Sequence, residues 1–166
     1  LYKVKPNNSY TSFKIQKKSG GERIIHTPSI DLKEIQRSIV EVLWRQQKIL
    51  WEEHNIKPNI SHAFIKKKGI ITNARVHKNK RYVFNIDLED FFDSFHFGRV
   101  RGFFEKNKDF LFPEKMATTL AQLTCYNGSL PQGAPTSPII TNLICNILDM
   151  RLLKIAKEFK LDYTRY

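Results

Sequence analysis

Cysteines, long apolar runs and a leader segment are scarce or absent in this sequence. Its two cysteines, Cys125 and Cys145, have neither the paired C-x-x-C spacing of a zinc site nor the density of a secreted disulfide scaffold. The most apolar stretch, 139–148, is short and interrupted by threonine and asparagine, and no signal peptide is recognisable. We therefore expect no membrane association and a soluble protein of a reducing cytoplasm, with both thiols buried.

Acidic residues are also scarce. The 166 residues include 28 Lys and Arg against 16 Asp and Glu, which gives a formal net charge of +12. The excess is one-sided, because residues 1–85 hold 18 basic and 6 acidic residues whereas residues 86–166 hold 10 of each. A basic half of this kind predicts a polyanionic partner such as a nucleic acid.

A chain of this length can form one domain with its own hydrophobic core, or two small subdomains that share a single hydrophobic core. The chain begins at Leu1 rather than at methionine, and it ends at Tyr166 without a turn or a polar tail. We therefore expect a piece of a longer protein.

The first half predicts a β-hairpin followed by helices. Apolar residues flank the glycine turn at 19–21, and the tip of this hairpin is basic. From Asp31, which suits an N-cap, apolar residues recur with the period of an amphipathic helix as far as Leu50. A shorter helix with Thr72 or Asn73 as its cap is predicted to reach His77.

The second half predicts strands and helices in alternation. Residues 82–88 are rich in β-formers and predict a strand with Asp87 at its carboxyl end. Helical patterns follow at 100–106 and 114–123, and Ser137 before Pro138 is a start signal for a third helix. Residues 161–166 predict a final strand, so the whole pattern is that of an α+β fold.

Asp87 opens an acidic region inside an otherwise basic protein, with Glu89, Asp90 and Asp93 after it. Carboxylates on rigid backbone hold the paired Mg²⁺ ions of phosphoryl-transfer enzymes. Acidic residues also stabilise the N-terminus of an ordinary helix through its dipole. Asp87 alone leaves both interpretations open.

Three segments, in order, resemble motifs of reverse transcriptases. The stretch YVFNIDLEDFF (82–92) resembles motif A, LPQGAPTSP (130–138) resembles motif B, and LDYTRY (161–166) stops at the tyrosine before the two aspartates of the Y-x-D-D hairpin. Asn73 and His77 fit an N-A-x-x-H signature that resembles the retron branch, and their spacing puts them on one helix face. The chain is thus similar to the front half of a retron-type bacterial reverse transcriptase.

The resemblance implies roles for residues in and after the predicted strand. Asp87 would be catalytic and would bind two Mg²⁺ ions, with the Leu88 carbonyl as a further ligand and the remaining carboxylates beyond the last residue. Asp90 and Phe91 fall where the family's backbone approaches the incoming triphosphate. Phe92 fits the position of a bulky side chain that excludes the 2′-hydroxyl of a ribonucleotide, although core packing is the alternative for one of these rings.

Further nucleotide contacts are implied in the loop and in the hairpin. Gln132 and Gly133 would line the sugar of the nucleotide from a loop that prolines stiffen. Lys17 or Lys18, together with Arg23, resembles the basic pair that grips the triphosphate, and the choice between the two lysines stays open. A hairpin tip is also an ordinary place for solvated charge.

Template or structured RNA would contact basic side chains outside the hairpin tip, because phosphate contacts are electrostatic and tolerate many sequences. The predicted RNA-binding residues are Arg37, Lys66, Lys67, Lys68, Asn73, His77, Lys78, Lys80 and Arg81. Any one of these lysines fits a solvated surface equally well. Four further histidines show no ligand spacing and are assigned no role: His26, His54, His62 and His96.

The resemblance implies a right-hand polymerase architecture, with fingers over residues 1–80 and a partial palm over residues 81–166. The implied activity is reverse transcription by two-metal nucleotidyl transfer, with dNTP substrates and an RNA/DNA hybrid. A cognate structured non-coding RNA, a role in defence against phage and an accessory effector protein are implied as well. Since only one of three carboxylates is present, residues 1–166 alone are expected to be inactive.

Two alternatives stay open. Group II intron and abortive-infection reverse transcriptases share motifs A and B, so the retron assignment rests on the N-A-x-x-H segment. Residues 1–166 could also be a catalytically incomplete module for RNA binding or assembly. The residues after Tyr166 decide between an enzyme and such a module.

Overall fold

The computed structural model describes residues 9–17, 20–53 and 60–166. Within these ranges lie two strands and five helices: β1 (Tyr10–Gln16), β2 (Glu22–Pro28), α1 (Ile30–Glu53), α2 (Ile70–Val76), α3 (Phe97–Lys106), α4 (Glu114–Thr124) and α5 (Ser137–Glu158). This mixture of helices and strands confirms the predicted α+β class.

The described residues divide into two compact units. The first unit comprises the described residues up to Arg45 together with Asp90–Thr141. The second unit comprises the described residues of Gln46–Glu89 together with Asn142–Tyr166.

The predicted hairpin is present in the first unit. β1 and β2 pair antiparallel along their whole length. The Lys17 N–H donates to the Gly21 carbonyl at 2.9 Å and closes the turn. Gly20 and Gly21 have φ angles of +86° and +83°, a left-handed conformation that glycine adopts without steric cost. Lys18 and Ser19, which the prediction placed in this turn, lie outside the described residues.

Helix α1 begins at Ile30, two residues before the start that an N-cap at Asp31 would give. The carbonyl of Ser29, just before the helix, accepts the Lys33 N–H at 2.8 Å. Asp31 is therefore not the N-cap; it lies in the first turn, where its charge suits the helix dipole. The buried side chains of α1 recur every three to seven residues along one face and include two glutamines: Leu32, Gln36, Leu43, Gln47 and Leu50.

The predicted helices around 100–106 and 114–123 are confirmed as α3 and α4, which lie against each other in the first unit. Phe104 of α3 is fully buried and stacks on Phe112 with ring centroids 5.7 Å apart. Phe103 and Phe110 meet the Phe104 ring edge to face at 5.1 and 5.2 Å. Such aromatic pairs each add roughly 0.5–1.5 kcal/mol beyond their buried area, so this cluster anchors α3.

The strand predicted at 82–88 is wrong. The structure gives this stretch no regular element, and Tyr82, Phe84 and Ile86 are exposed over 81%, 87% and 75% of their surface. A strand needs a neighbour that satisfies its backbone donors and acceptors, and the described residues contain only the β1–β2 sheet. Asp87 therefore lies in an irregular, exposed segment rather than at a strand end.

The strand predicted at 161–166 is reduced to one parallel bridge in the second unit, between Ser61 and Arg165. The Arg165 N–H donates to the Ile60 carbonyl at 2.9 Å, and the His62 N–H donates to the Arg165 carbonyl at 2.7 Å. The neighbouring backbone turns away after these bonds, because Ala63 and Phe64 form a bend. A longer ladder does not develop.

Helices α2 and α5 complete the second half of the chain. α2 begins at Ile70, so a cap at Thr72 or Asn73 is wrong; instead, the Thr72 hydroxyl accepts the Gly69 N–H at 2.9 Å from inside the first turn. α5 begins at Ser137, as predicted. None of the helices in the described ranges is long and apolar enough to cross a membrane.

Candidate functional site

The loop with Gln132 and Gly133 lies against strand β2 in the first unit. The His26 N–H donates to the Gln132 carbonyl at 2.7 Å. Gly133 has a φ of +113°, and an added Cβ would lie 2.7 Å from Ile25 Cγ2 and 2.9 Å from the His26 carbonyl oxygen. Only glycine permits this approach. The loop is therefore fixed on the same strand that carries Arg23.

Aromatic and polar side chains strengthen this contact. The Tyr126 ring stacks on Tyr10 with centroids 4.5 Å apart, and it meets the His26 ring at 4.9 Å. His26 Nδ1 lies 2.7 Å from the Ser12 hydroxyl. His26, to which the sequence assigned no role, thus joins the two strands and the loop. No spacing rule could have found it, because its partners lie 14 and about 100 residues away.

Gln36 joins helix α1 to the hairpin and to α4. Its buried amide nitrogen donates to the Tyr10 hydroxyl and to the Leu123 carbonyl, each at 2.8 Å. Gln36 Oε1 is buried without a hydrogen-bond partner in the described part of the chain. Burial raises the pKa of Tyr10 to about 12, although the Gln36 hydrogen bond opposes this shift. Burial likewise raises the pKa of Cys125 to about 11, and both cysteines are buried as predicted.

The predicted triphosphate ligands of the hairpin are accessible. Lys17 follows the end of β1 and Arg23 lies in β2, and both side chains are exposed. Lys18 lies outside the described residues, as does His54. The hairpin thus presents at least two exposed cations, Lys17 and Arg23.

The residues that resemble motif A fall into both units. Asp87 and Leu88 are exposed in the second unit, and Asp90, Phe91 and Phe92 belong to the first. Asp90 has a φ of +45°, an uncommon conformation that a non-glycine residue adopts at a cost of roughly 1–3 kcal/mol.

The chemistry of the donors near Asp87 suits magnesium. A carboxylate and a backbone carbonyl supply the hard oxygen atoms that Mg²⁺ prefers. Among the residues described, no three His, Cys, Asp or Glu side chains converge on a common point. Asp87 and Leu88 therefore fit one side of a magnesium site and do not complete it.

The phenylalanines after Asp90 form a row in the first unit. Phe91 meets Phe92 and Phe95 edge to face, with ring centroids 5.3 and 5.0 Å apart. Phe95 is buried to 3% exposure, whereas Phe92 is half-buried. Of the three rings, Phe95 is the one that packs in the core, and Phe92 keeps part of its ring accessible.

Most of the predicted RNA-binding residues lie in the second unit. Lys66, Lys67, Lys78, Lys80 and Arg81 are exposed there, and Arg37 is exposed on α1 in the first unit. Lys80 forms an ion pair with Asp162. Lys68 differs from its neighbours, because its Nζ donates to the Ser61 carbonyl at 3.3 Å and burial lowers its pKa.

Of the two residues of the predicted N-A-x-x-H signature, His77 makes a side-chain contact with the chain itself. His77 follows the last turn of α2, and its Nε2 lies 2.6 Å from the Thr164 hydroxyl. Asn73 Oδ1 is buried and has no hydrogen-bond partner in the described ranges. The contact with Thr164 shows that His77 supports residues 161–166. Its RNA-binding role stays a prediction.

A buried polar network precedes Tyr166 in the second unit. Arg165 donates from Nε and Nη2 to the two carboxylate oxygens of Asp149, each at 2.9 Å, and from Nη1 to Asn142 Oδ1 at 3.0 Å. The Tyr163 hydroxyl donates to Asp149 at 2.9 Å. Burial alone would lower the pKa of Arg165, but the Asp149 hydrogen bonds and charge raise it. The network fixes the segment that resembles the approach to the Y-x-D-D hairpin.

Comparison with known proteins agrees with these features. The family model for reverse transcriptase (RNA-dependent DNA polymerase) matches residues 15–166. The chain is 36% identical over 159 residues to the retron Ec86 reverse transcriptase of Escherichia coli, and the alignment covers 95% of this chain and 46% of that protein. It is 33% identical over 175 residues to the retron Mx162 reverse transcriptase of Myxococcus xanthus, and this alignment covers 95% of this chain and 34% of that protein.

A third relative, the retron Ec83 reverse transcriptase of Escherichia coli, is 30% identical over 176 residues that cover all of this chain and 53% of that protein. The chain thus spans between about a third and a half of the length of these curated relatives. The family model covers nearly the whole chain, so the chain belongs to the reverse transcriptase family.

Proposed function

We propose that the full-length protein synthesises DNA on an RNA template. The observation that carries this proposal is the bond from the His26 N–H to the Gln132 carbonyl, because it puts the motif B loop on the strand that bears Arg23. A basic hairpin and a sugar-binding loop in one rigid arrangement suit an incoming nucleotide, with its triphosphate at one end and its sugar at the other. Membership of the reverse transcriptase family supports the same activity.

Each nucleotide contact has a physical basis. Arg23 can bind the triphosphate with two parallel hydrogen bonds, and Lys17 or Lys18 adds a point charge. Gln132 and Gly133 line the sugar, and Asp90 and Phe91 contribute backbone beside the triphosphate. Phe92 occupies the space that a 2′-hydroxyl needs, which favours dNTP substrates.

Asp87 and the Leu88 carbonyl would hold Mg²⁺ together with carboxylates outside residues 1–166. Two such ions supply activation of the primer 3′-hydroxyl and stabilisation of the leaving pyrophosphate. The exposed position of Asp87 leaves its carboxylate accessible to metal ions.

The basic surface binds the RNA. The exposed lysines and arginines of the second unit contact template phosphates, and the resemblance to retron enzymes favours a cognate structured non-coding RNA. We further propose fingers over residues 1–80, a partial palm over residues 81–166, a location in the bacterial cytoplasm, and a role in phage defence with an accessory effector protein. Group II intron and abortive-infection enzymes are the alternatives within the family.

The test of polymerase activity uses the full-length protein with a primed RNA template. Asp87→Asn removes the charge that holds the metal ions, so dNTP incorporation should fall by at least about 10³-fold while RNA affinity changes little. Asp93→Asn is the matched control, because it makes the same substitution at an exposed acid to which we assign no role. Unimpaired synthesis by the Asp87→Asn protein would remove Asp87 from the catalytic site.

A second candidate function is RNA binding or assembly without synthesis. It is favoured by one observation, that basic side chains of the second unit are exposed and suit RNA phosphates whether or not synthesis occurs. RNA binding by the full-length wild-type protein, without Mg²⁺-dependent incorporation of dNTP on any primed template, would select this second function.

A further inference from the structure

A strained loop at residues 63–67 of the second unit presents an aromatic ring to solvent. Phe64 is 55% exposed and has a φ of +57°, and Lys67 has a φ of +66°. Left-handed backbone is rare for bulky residues and costs roughly 1–2 kcal/mol for each one. Two such residues within four positions persist only because the surrounding structure holds them, and strain of this kind concentrates at functional sites.

The surrounding contacts hold this loop on both sides. The Ala63 carbonyl accepts a hydrogen bond from Asn142 Nδ2 at 3.1 Å, and the preceding His62 N–H donates to the Arg165 carbonyl at 2.7 Å. On the other side, the Lys68 N–H donates to the Ile65 carbonyl at 3.0 Å and closes a turn over the two residues between them. The position of the Phe64 backbone is therefore fixed, although its ring is exposed.

The charged residues of the sequence around Phe64 have one sign. No acidic residue occurs from 54 to 86. Basic residues in the described part of this stretch are Lys66, Lys67, Lys68, Arg75, Lys78, Lys80 and Arg81. Lys66 and Lys67, which follow Phe64 almost directly, are both exposed. The partner that fits this surface is a polyanion with flat apolar groups, which describes single-stranded nucleic acid.

We propose that Phe64 is a stacking platform for an unpaired base of the bound RNA, and that Lys66 and Lys67 contact the phosphates on either side of that base. This inference rests on the proposed RNA-templated synthesis and adds a specific site to it. Base–aromatic stacking accepts any sequence because every base has a π-face, which suits a protein that moves along its template. Ile70 and Ile71 are exposed as well, so an apolar protein surface is the competing partner, and the charge of the stretch disfavours it.

The test measures binding of the full-length protein to a single-stranded RNA that contains 2-aminopurine, and to a fully paired RNA duplex. Phe64→Ala should weaken single-strand binding by about 5- to 150-fold and should leave duplex binding nearly unchanged, because one stacked base is lost. The wild-type protein should quench 2-aminopurine fluorescence, and Phe64→Ala should not. Phe159→Ala is the matched control, since Phe159 is 66% exposed in the same unit and should have no effect.

Two further variants separate base stacking from docking of an apolar protein surface. Phe64→Trp should preserve single-strand affinity and quenching, whereas Phe64→Leu, which keeps apolar area without a π-face, should lose both.

Lys66→Ala and Lys67→Ala should each reduce the slope of log affinity against log salt by about 0.7. Equal affinities for Phe64→Leu and wild type would overturn the platform and favour a protein partner.

The experiments distinguish a wrong assignment of Phe64 as a stacking platform from a wrong assignment of polymerase activity. If Phe64→Ala binds single-stranded RNA as wild type does, while wild-type synthesis still depends on Asp87, the stacking role of Phe64 is refuted and the proposed polymerase activity is retained. If the wild-type protein incorporates no dNTP, the proposed activity itself fails. A loss of binding by Phe64→Ala that persists with an unchanged melting temperature, and that Phe64→Trp restores, supports the platform.

Discussion

Arg165 and Asp149 form a buried, two-pronged ion pair, with Arg165 Nη2 2.9 Å from Asp149 Oδ2 and side-chain exposures of 12% and 3%. The pair fixes residue 165 directly before Tyr166, where the sequence resembles the approach to the catalytic hairpin. Tyr163 and Asn142 complete the hydrogen bonding, so each charged group has several partners.

Asp149→Asn should destabilise the fold by about 3–5 kcal/mol, because it leaves the Arg165 guanidinium buried without its counter-charge. Urea unfolding followed by circular dichroism measures this change. Asp162→Asn is the matched control, because its ion pair with Lys80 is about half exposed and should contribute far less to stability. Equal effects of the two substitutions would mean that the Asp149 pair adds no more than a surface pair.

Gly133→Ala should destabilise the first unit more than the same substitution at Gly128. Both glycines have positive φ, at +113° and +87°, so both variants strain the backbone by roughly 1–2 kcal/mol. At Gly133 the new Cβ would also lie 2.7 Å from Ile25 Cγ2, whereas at Gly128 nothing lies within 4 Å. Overpacking of this kind adds roughly 1–3 kcal/mol, to be measured by denaturant unfolding.

The Gly133 substitution also has a functional consequence. Because the loop must move off β2, KM for dNTP should rise in Gly133→Ala, while Gly128→Ala should retain the wild-type KM. An unchanged KM in a folded Gly133→Ala protein would contradict the proposed coupling between hairpin and loop.

The sequence predicted those parts of the fold that depend on local signals. The glycine turn of the hairpin, the start of α5 at Ser137 and the helical periods of α3 and α4 are each encoded within a few neighbouring residues. Start positions were wrong at Asp31 and Thr72, because Ser29 and Gly69 occupy the positions just before those helices.

The strand at 82–88 was wrong for a different reason. β-propensity reports that a residue suits a sheet, but a strand forms only where a neighbour supplies hydrogen bonds, and that neighbour is not local in sequence. The partners of His26, Gln36 and Asp149 are equally remote, so no spacing pattern reveals them. The motif residues Gln132 and Gly133 were identified by resemblance, but their contact with β2 required the structure.

Tyr10 should make stability depend on pH in the alkaline range. Burial raises its pKa from 10.0 to about 12, so the folded state holds the phenol proton more tightly than the unfolded chain does. Its stabilising contribution is therefore complete below about pH 10 and is lost as the pH rises toward 12. Tyr10→Phe should flatten the fall in unfolding free energy across this range, as measured by urea unfolding at a series of pH values.

The same variant has an expected effect at neutral pH. Tyr10→Phe removes the hydrogen bond from Gln36 Nε2 and should cost about 1 kcal/mol. Tyr82→Phe is the control at an exposed tyrosine and should leave the stability at neutral pH unchanged. An unaltered alkaline profile for Tyr10→Phe would assign that profile to other groups, such as Cys125, whose pKa burial raises to about 11.

Phe92→Ala should increase incorporation of ribonucleotides relative to deoxynucleotides by about tenfold or more, which corresponds to ~1.4 kcal/mol of lost discrimination. The half-buried Phe92 ring is braced by Phe91 at 5.3 Å, so it can reject a 2′-hydroxyl without yielding. Single-nucleotide incorporation by the full-length protein, with dNTP and the matching ribonucleotide in parallel, gives the ratio.

Phe91→Ala is the comparison variant for that experiment, because it removes the support of the Phe92 ring but keeps the ring itself. It should slow incorporation of both nucleotides and change their ratio far less than Phe92→Ala does. A ratio that stays constant in Phe92→Ala removes Phe92 from the steric gate. Equal changes in both variants would instead assign selectivity to the packing of the row, since Phe91 also braces the buried Phe95.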